Sequence, residues 1–139
     1  MILQMDELIL KQLKDRLCEV ADELGFHKLC MRTDGCISEI YVINKHALQL
    51  EIDWHENNLF MYVVYLKNQV LPEKNIVYNY TDGQWCRKYI EEIYGVKRPS
   101  VKEYSRYSVD YLFDCFDFYL QLINRNPALL KDFGEGGGI

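Results

Sequence analysis

The chain has 139 residues, of which 49% are hydrophobic, and it carries a formal net charge of -5. A chain of this length forms one domain that buries about two-thirds of its unfolded surface, so it needs neither metal nor disulfide to fold. The acidic balance argues against a general nucleic-acid-binding protein, because such a protein presents a basic surface to phosphate. It is compatible with a basic protein partner.

The five cysteines are an odd number at irregular spacing, and they include no Cys-x-x-Cys pair. The first residues lack the charged start, apolar run and cleavage site of a signal peptide. These features predict a cytoplasmic protein whose cysteines are thiols. No apolar run approaches the roughly 20 residues of a membrane span, so we expect a soluble protein with no membrane partner.

A helix is predicted at residues 5–24. Leu10, Leu13 and Leu17 begin a series of apolar residues at steps of three and four, which places them on one face of a helix. Gly25 follows the last apolar position, where a helix commonly ends.

Four strands are predicted next, at residues 27–33, 36–43, 48–54 and 59–66. Asp34-Gly35 separates the first two and is a strong signal for a tight hairpin turn. In the third strand, apolar residues alternate with Gln49, Glu51 and Asp53, which predicts one buried face and one face in water. The fourth is apolar on both faces, as in the centre of a sheet. We expect an antiparallel four-stranded meander in chain order, covered on one face by the first helix.

Helices are predicted in the C-terminal half. A segment at 77–80 is either an edge strand or irregular, and a helix from Thr81 or Asp82 to Tyr94 follows it. A capping box at Ser100–Glu103 begins a longer helix that runs to Asn124. Asn126-Pro127 starts a short last helix, and residues 134–139 form a frayed tail. The fold class is therefore α+β, in a single domain.

No pattern of catalytic or cofactor-binding residues is present. Asp53, His55 and Glu56 lie close together in sequence, but no second group of ligands at metal-binding spacing answers them. Glu51 and Asp53 share one strand face, where paired carboxylates are more often solvated than catalytic. The sequence contains no nucleophile elbow and no glycine-rich phosphate loop. We therefore predict a protein that is not an enzyme and uses no cofactor.

One acidic ridge stands out. Asp110, Asp114 and Asp117 follow at steps of four and three in the long helix, so they share one side of it. Phenylalanines lie between them, which leaves the helix apolar over a wide arc. Such a helix is either buried among other elements or presents an edge to a partner.

The run from Leu50 to Val64 follows the first helix and precedes the aromatic-rich helices. In this arrangement the chain resembles small immunity proteins of bacterial polymorphic toxin systems, including contact-dependent growth inhibition systems. The resemblance implies a cytoplasmic protein that binds a cognate toxin domain tightly and blocks its active site or substrate surface. It implies no list of contact residues, because immunity surfaces are specific to each toxin.

Combined with the charge pattern, the resemblance predicts an inhibitor that binds a basic toxin, such as a nuclease, by occlusion. From charge and aromatic content, we expect the partner-binding residues to be Glu51, Asp53, Glu56, Tyr62, Asp110, Asp114 and Asp117. The alternative is a module that binds a small molecule or peptide, or an enzyme subunit. That alternative would use the water-facing side of the sheet around Glu51, Asp53 and Tyr62.

Overall fold

The computed structural model describes residues 4–71, 87–98 and 108–137. In chain order the elements are α1 (Gln4–Glu23), β1 (Lys28–Asp34), β2 (Ile37–Ile43), β3 (Ala47–Asp53), β4 (Asn58–Val64), β5 (Arg87–Tyr89), α2 (Ile90–Tyr94), α3 (Val109–Arg125) and α4 (Pro127–Gly134). The architecture is an N-terminal helix, an antiparallel sheet and C-terminal helices. The predicted α+β class is confirmed.

The first helix ends where its sequence predicts. After Glu23 the backbone of Gly25 turns at a φ of +90°, and the amide of Phe26 donates to the carbonyl of Ala21 over 2.9 Å. Glycine adopts a positive φ with little strain, so it closes the last turn and lets the chain reverse into β1.

The sheet is a meander with strand order β1-β2-β3-β4-β5. The predicted Asp34-Gly35 hairpin is present, since Asp34 pairs with Ile37 and Gly35 has a φ of +60°. As predicted, β4 is central: it pairs with β3 on one side and β5 on the other, and it is buried along most of its length. Within the described residues the sheet has five strands rather than the four expected.

The fifth strand corrects the prediction of a helix from residue 81 or 82 to Tyr94. Arg87–Tyr89 pairs with β4, and the helix begins only at Ile90. Residues 77–80 lie outside the part of the chain that the structure describes. The helix does end before Gly95, whose φ of +68° places it in the left-handed region.

The long C-terminal helix also differs from its prediction. Ser108 has extended backbone angles, and its hydroxyl accepts a hydrogen bond from the amide of Asp110 over 3.1 Å. Ser108 therefore caps a helix that starts at Val109. The prediction of one continuous helix from Ser100 to Asn124 is wrong. The capping box at 100–103 lies outside the described residues. The short last helix, α4, begins at Pro127 as expected.

One face of the sheet carries the main apolar core. Apolar side chains of β2, β3 and β4 on this face pack with those of α1, α3 and α4. Fully buried examples are Leu13 and Leu17 of α1, Leu50 of β3, Met61 of β4 and Phe116 of α3. The prediction that α1 covers this face is confirmed, and α3 and α4 cover it as well. Burial of this apolar surface is the main source of the fold's stability.

Candidate functional site

The predicted acidic ridge lies on the outer side of α3. The buried side of this helix consists of Tyr111, Leu112, Cys115, Phe116, Tyr119, Leu122 and Ile123. Asp110, Phe113, Asp114 and Asp117 follow at helical spacing on the other side, and we call these four residues the acidic α3 surface. Only the apolar side of α3 packs against the sheet, so the polar side remains at the surface of the protein.

Asp110 and Asp114 are exposed, and they are one helical turn apart. Within residues 4–71, 87–98 and 108–137, no cation lies within salt-bridge distance of either carboxylate. Asp110 has a local structural role too, since it lies in the first turn of α3, where the helix dipole favours negative charge. Asp114 has no such role. The two carboxylates therefore present negative charge to solvent.

Asp117 has an intramolecular partner. One of its carboxylate oxygens accepts a hydrogen bond from Arg16 of α1 over 2.6 Å, and both side chains are about half exposed. The guanidinium of Arg16 also lies 4.8 Å from the centre of the Phe116 ring. This pair joins α1 to α3 and neutralises one member of the ridge. Asp117 has less negative charge to offer a partner than Asp110 or Asp114.

The predicted partner-binding residues Asp53 and Glu56 lie at the turn between β3 and β4, not on α3. An Asp53 carboxylate oxygen accepts hydrogen bonds from the amides of His55 and Glu56, at 3.0 and 3.3 Å. Asp53 therefore shapes the turn between β3 and β4, as aspartate commonly does in tight turns. Glu56 lies within this turn and is half-buried.

The second face of the sheet contains a polar cluster that sequence reasoning largely missed. We call it the sheet polar cluster, and it consists of Glu39, Tyr41, Gln49, Glu51, Tyr62 and Arg87. Neighbouring strands place these side chains side by side, because Glu39 pairs with Glu51, Tyr41 with Gln49, and Gln49 with Tyr62. The alternation of β2 contained a signal for Glu39 and Tyr41, but nothing in the sequence placed Arg87 on a strand.

Hydrogen bonds hold the first half of this cluster. A Glu39 carboxylate oxygen accepts from the Tyr41 hydroxyl over 2.7 Å and from the Gln49 amide over 2.6 Å. All three residues are buried, with Gln49 at 0% exposure. The prediction that Gln49 faces water is therefore wrong. A buried carboxylate requires such donors, because it has lost the hydration that stabilises its charge.

Arg87 connects the remaining members of the sheet polar cluster. Its guanidinium donates to the Gln49 side-chain oxygen over 3.2 Å, lies 3.7 Å from a Glu51 carboxylate oxygen and stacks 3.8 Å from the centre of the Tyr62 ring. The Tyr62 hydroxyl donates to the other Glu51 oxygen over 3.3 Å. One cation thus lies next to two of the polar side chains and one aromatic ring.

The electrostatics of Glu51 follow from this position. Burial raises the pKa of the Glu51 carboxyl above its usual value, Arg87 opposes that rise and nearby Glu39 adds to it. Burial also raises the pKa of the Tyr62 hydroxyl, and the negative charge of Glu51 adds to the rise. Tyr62 is therefore neutral and serves as a hydrogen-bond donor to Glu51.

A third polar group joins β4 to α2 and α3. Arg98 donates to the Asn58 side-chain oxygen over 2.8 Å, and its guanidinium lies 4.4 Å from the centre of the Phe60 ring. The Tyr119 hydroxyl donates over 2.8 Å to Glu91, which is 8% exposed and lies 3.9 Å from Arg98. This largely buried ion pair links α2 and α3 to β4, and no sequence motif indicated it.

The structure thus separates the predicted partner-binding residues into three places. Asp110 and Asp114 lie exposed on α3, Asp53 serves the hairpin turn, and Tyr62 is buried at 4% exposure. The side chain of Glu51 is 22% exposed and contacts Arg87. A partner has access to the α3 carboxylates, whereas the sheet polar cluster is already occupied by its own contacts.

Neither a metal site nor a membrane span emerges from the described residues. In that part of the chain, no group of three or more histidine, cysteine or carboxylate side chains converges to hold an ion. No helix in it has the length and apolar character needed to cross a membrane. Comparison with protein-family models, curated proteins and solved structures finds no match to this chain.

Proposed function

We propose that this protein binds a cationic protein partner through the acidic α3 surface, as an immunity-type inhibitor that occludes a toxin domain. The observation that carries the proposal is the exposed pair Asp110 and Asp114, since no cation of the described chain neutralises it. The net charge of -5 acts in the same direction. The resemblance of residues 50–64 and of the helix–meander–helix plan to immunity proteins supplies the biological setting.

The proposed mechanism is electrostatic attraction followed by occlusion. Carboxylates on a rigid helix raise the rate of encounter with a basic surface, and the effect weakens as salt screens the charges. Phe113 precedes Asp114 on the same side of the helix, and although it packs partly against the core, its half-buried ring leaves some apolar surface beside the aspartates. A nuclease fits the partner chemistry, because the surface that binds phosphate must be basic. Blocking that surface stops activity without any catalysis by the inhibitor.

The alternative of a ligand site on the sheet has less support. Gln49 is fully buried, and Glu39 and Arg87 both contact it, so these groups are not open to a ligand in this conformation. Replacing those contacts with ligand contacts would require the cluster to open, at the cost of leaving buried polar groups unpaired. We therefore assign the sheet polar cluster to folding rather than to ligand recognition.

The experiment first tests whether the product of the adjacent gene co-purifies with this protein, and then measures the association of this protein with the co-purified partner. Association rates are recorded from low to high salt for wild type and for the double variant Asp110→Asn/Asp114→Asn. We expect the double variant to associate several-fold more slowly at low salt, with a shallower salt dependence, and to approach wild type at high salt.

Two controls isolate the surface. Glu23→Gln/Glu135→Gln makes the same change in net charge at exposed positions on α1 and after α4, and should keep most of the wild-type rate. Asp117→Asn tests the member of the ridge that Arg16 neutralises, and should act less than removal of either exposed carboxylate. Parallel salt curves for wild type and the double variant would remove the acidic α3 surface from the interface. Failure to protect cells that express the toxin domain would contradict the immunity function itself.

A further inference from the structure

A cavity lies where the C-terminal end of α1 meets the corner between α3 and α4, and we call it the helix-corner cavity. Its volume is about 360 Å³, and residues of all three helices line it. Sites for small molecules in proteins commonly have volumes of roughly 300–1,000 Å³. The helix-corner cavity is therefore large enough to hold a small molecule.

Hydrogen bonds hold the corner in shape. Asn126 alone separates α3 from α4. Its amide donates to the carbonyl of Ile123 over 3.2 Å, and its carbonyl accepts a hydrogen bond from the hydroxyl of Tyr94 in α2 over 3.0 Å. Pro127 then begins α4 with a fixed φ. Because these contacts set the angle between the two helices, the cavity is formed before any ligand enters it, which lowers the cost of binding.

The floor of the helix-corner cavity is apolar. Leu24 and Ile123 line it at 4% and 1% exposure, and half-buried Val20 lies beside them. All three side chains pack with the main apolar core. A ligand group that displaces water from this floor should therefore be apolar.

Two opposite charges stand at the rim of the helix-corner cavity, Glu23 on α1 and Lys131 on α4. Both residues are exposed, and among the described residues neither has an opposite charge within salt-bridge distance. Glu23 is the last residue of α1, where the helix dipole disfavours a negative charge, and α1 has no basic residue in its last turn. The helix itself therefore does not account for this carboxylate.

A second cavity of about 570 Å³ lies between α1 and β1, and its charges are arranged differently. There Lys14 pairs with Asp15 over 3.0 Å, and His27 with Asp22 over 2.7 Å. Charges that already interact with each other have less to offer a ligand. The helix-corner cavity combines a buried apolar floor with two charges that are not engaged in this way.

We propose that the helix-corner cavity binds a free α-amino acid with a large apolar side chain. The side chain of the ligand lies on the floor formed by Val20, Leu24 and Ile123. Its carboxylate meets the ammonium of Lys131, and its ammonium meets the carboxylate of Glu23. Charge-assisted hydrogen bonds of both signs select a zwitterion over a purely apolar molecule or a simple anion.

The helix-corner cavity is separate from the surface proposed for the toxin partner. Asn124 lines the cavity near the end of α3, whereas Asp110 lies in its first turn. At 1.5 Å per residue the two positions are about 20 Å apart along the helix. A bound amino acid therefore leaves the acidic α3 surface open, and this proposal does not depend on the function proposed above.

The test is a titration of the full chain, labelled with ¹⁵N, with L-phenylalanine, followed by nuclear magnetic resonance. We expect saturable shifts of the amide signals of Ile123 and Ala128 at millimolar ligand, since both residues line the cavity. L-Serine carries the same two charges without an apolar side chain and should cause no saturable shift. The absence of saturable shifts at these two amides with L-phenylalanine overturns the proposal, and so does equal binding of L-serine.

Modified ligands test which charge meets which residue. N-acetyl-L-phenylalanine lacks the ammonium, and L-phenylalanine amide lacks the carboxylate. At low salt, Glu23→Gln should weaken binding of L-phenylalanine roughly fivefold but leave binding of the acetylated ligand unchanged. Lys131→Gln should weaken L-phenylalanine to a similar degree but leave the amide unchanged. Glu135→Gln, at an exposed position after α4, is the control and should not change either affinity. If each variant weakens all three ligands equally, the proposed orientation is wrong.

Filling the helix-corner cavity provides a test that does not rely on charge. Ala128 lines the cavity and is exposed, so Ala128→Trp adds a bulky ring without disturbing the core. We expect this variant to keep the wild-type circular dichroism spectrum and to lose binding of L-phenylalanine. A folded Ala128→Trp protein with wild-type affinity would contradict binding in this cavity. The charge variants decide the question if the tryptophan variant does not fold.

Discussion

Both faces of the sheet are buried, but different interactions hold them. The face towards α1, α3 and α4 is apolar, with Leu48, Leu50, Leu59 and Val63 at 1% exposure or less. The opposite face combines a smaller apolar cluster with the sheet polar cluster. The apolar face depends on shape and area, and neighbouring apolar side chains can partly replace one another. The polar face depends on each donor meeting its acceptor.

The largest expected effect is on the apolar face. Val63→Asp places a carboxylate in the apolar core at a position of 0% exposure. We expect a loss of about 3–5 kcal/mol in the free energy of unfolding, measured with urea. Val70→Asp introduces the same charge where the valine is 66% exposed, and should change stability by less than about 0.5 kcal/mol. Similar denaturation midpoints for the two variants would contradict the central position of β4.

The second effect tests whether the polar face depends on pairing. Gln49→Leu keeps the side-chain size but removes the donor to Glu39 and the acceptor for Arg87. We expect a loss of about 2–3 kcal/mol, because buried polar groups are left with fewer partners. Tyr41→Phe removes only one donor to Glu39 and should cost about 1 kcal/mol.

A double-mutant cycle sharpens this test. If Glu39 and Gln49 act as a pair, the double variant Glu39→Leu/Gln49→Leu should lose less free energy of unfolding than the two single variants lose together. Each single variant leaves the other side chain without its partner, whereas the double variant removes both side chains. Additive losses in the free energy of unfolding would show that the hydrogen bond between them contributes little. The stability of the polar face would then not depend on specific pairs, as on the apolar face.

The smallest expected effect is a dependence on pH. Burial raises the pKa of Glu51 in the folded protein above its usual value of 4.5, so the folded state holds this proton more tightly than the unfolded state does. Protonated Glu51 therefore makes its full contribution to stability when the pH is below the pKa of Glu51 in the unfolded state. This contribution is lost as the pH rises through the pKa of Glu51 in the folded state. The amide of the Glu51→Gln variant does not titrate in this pH range, so the variant lacks this contribution. In urea titrations, the stability of wild type relative to this variant should therefore fall as pH rises above 4.5, by less than the loss caused by Gln49→Leu. A difference that stays constant or rises with pH would contradict this environment for Glu51.

Local patterns in the sequence were sufficient for about half of the fold. The apolar spacing of α1, the glycine after it and the Asp34-Gly35 turn each act over a few neighbouring residues, and each prediction was confirmed. Apolar residues on both faces of 59–66 identified the central strand for the same reason. Exposed carboxylates at helical spacing on α3 were also visible in sequence, since Asp110 and Asp114 fall on the side opposite the apolar stripe.

Tertiary structure decided the rest, because the deciding partners are distant in the chain. Arg87 is 38 residues from Gln49, and nothing in the local sequence indicates that Arg87–Tyr89 joins β4 as a strand. Alternation assigned Gln49 to water, yet buried donors and acceptors from other strands satisfy it there. Asp117 looked equivalent to Asp110 and Asp114 until folding brought Arg16, 101 residues away, against it. A sequence determines which groups can pair, but only the folded chain determines which of them meet.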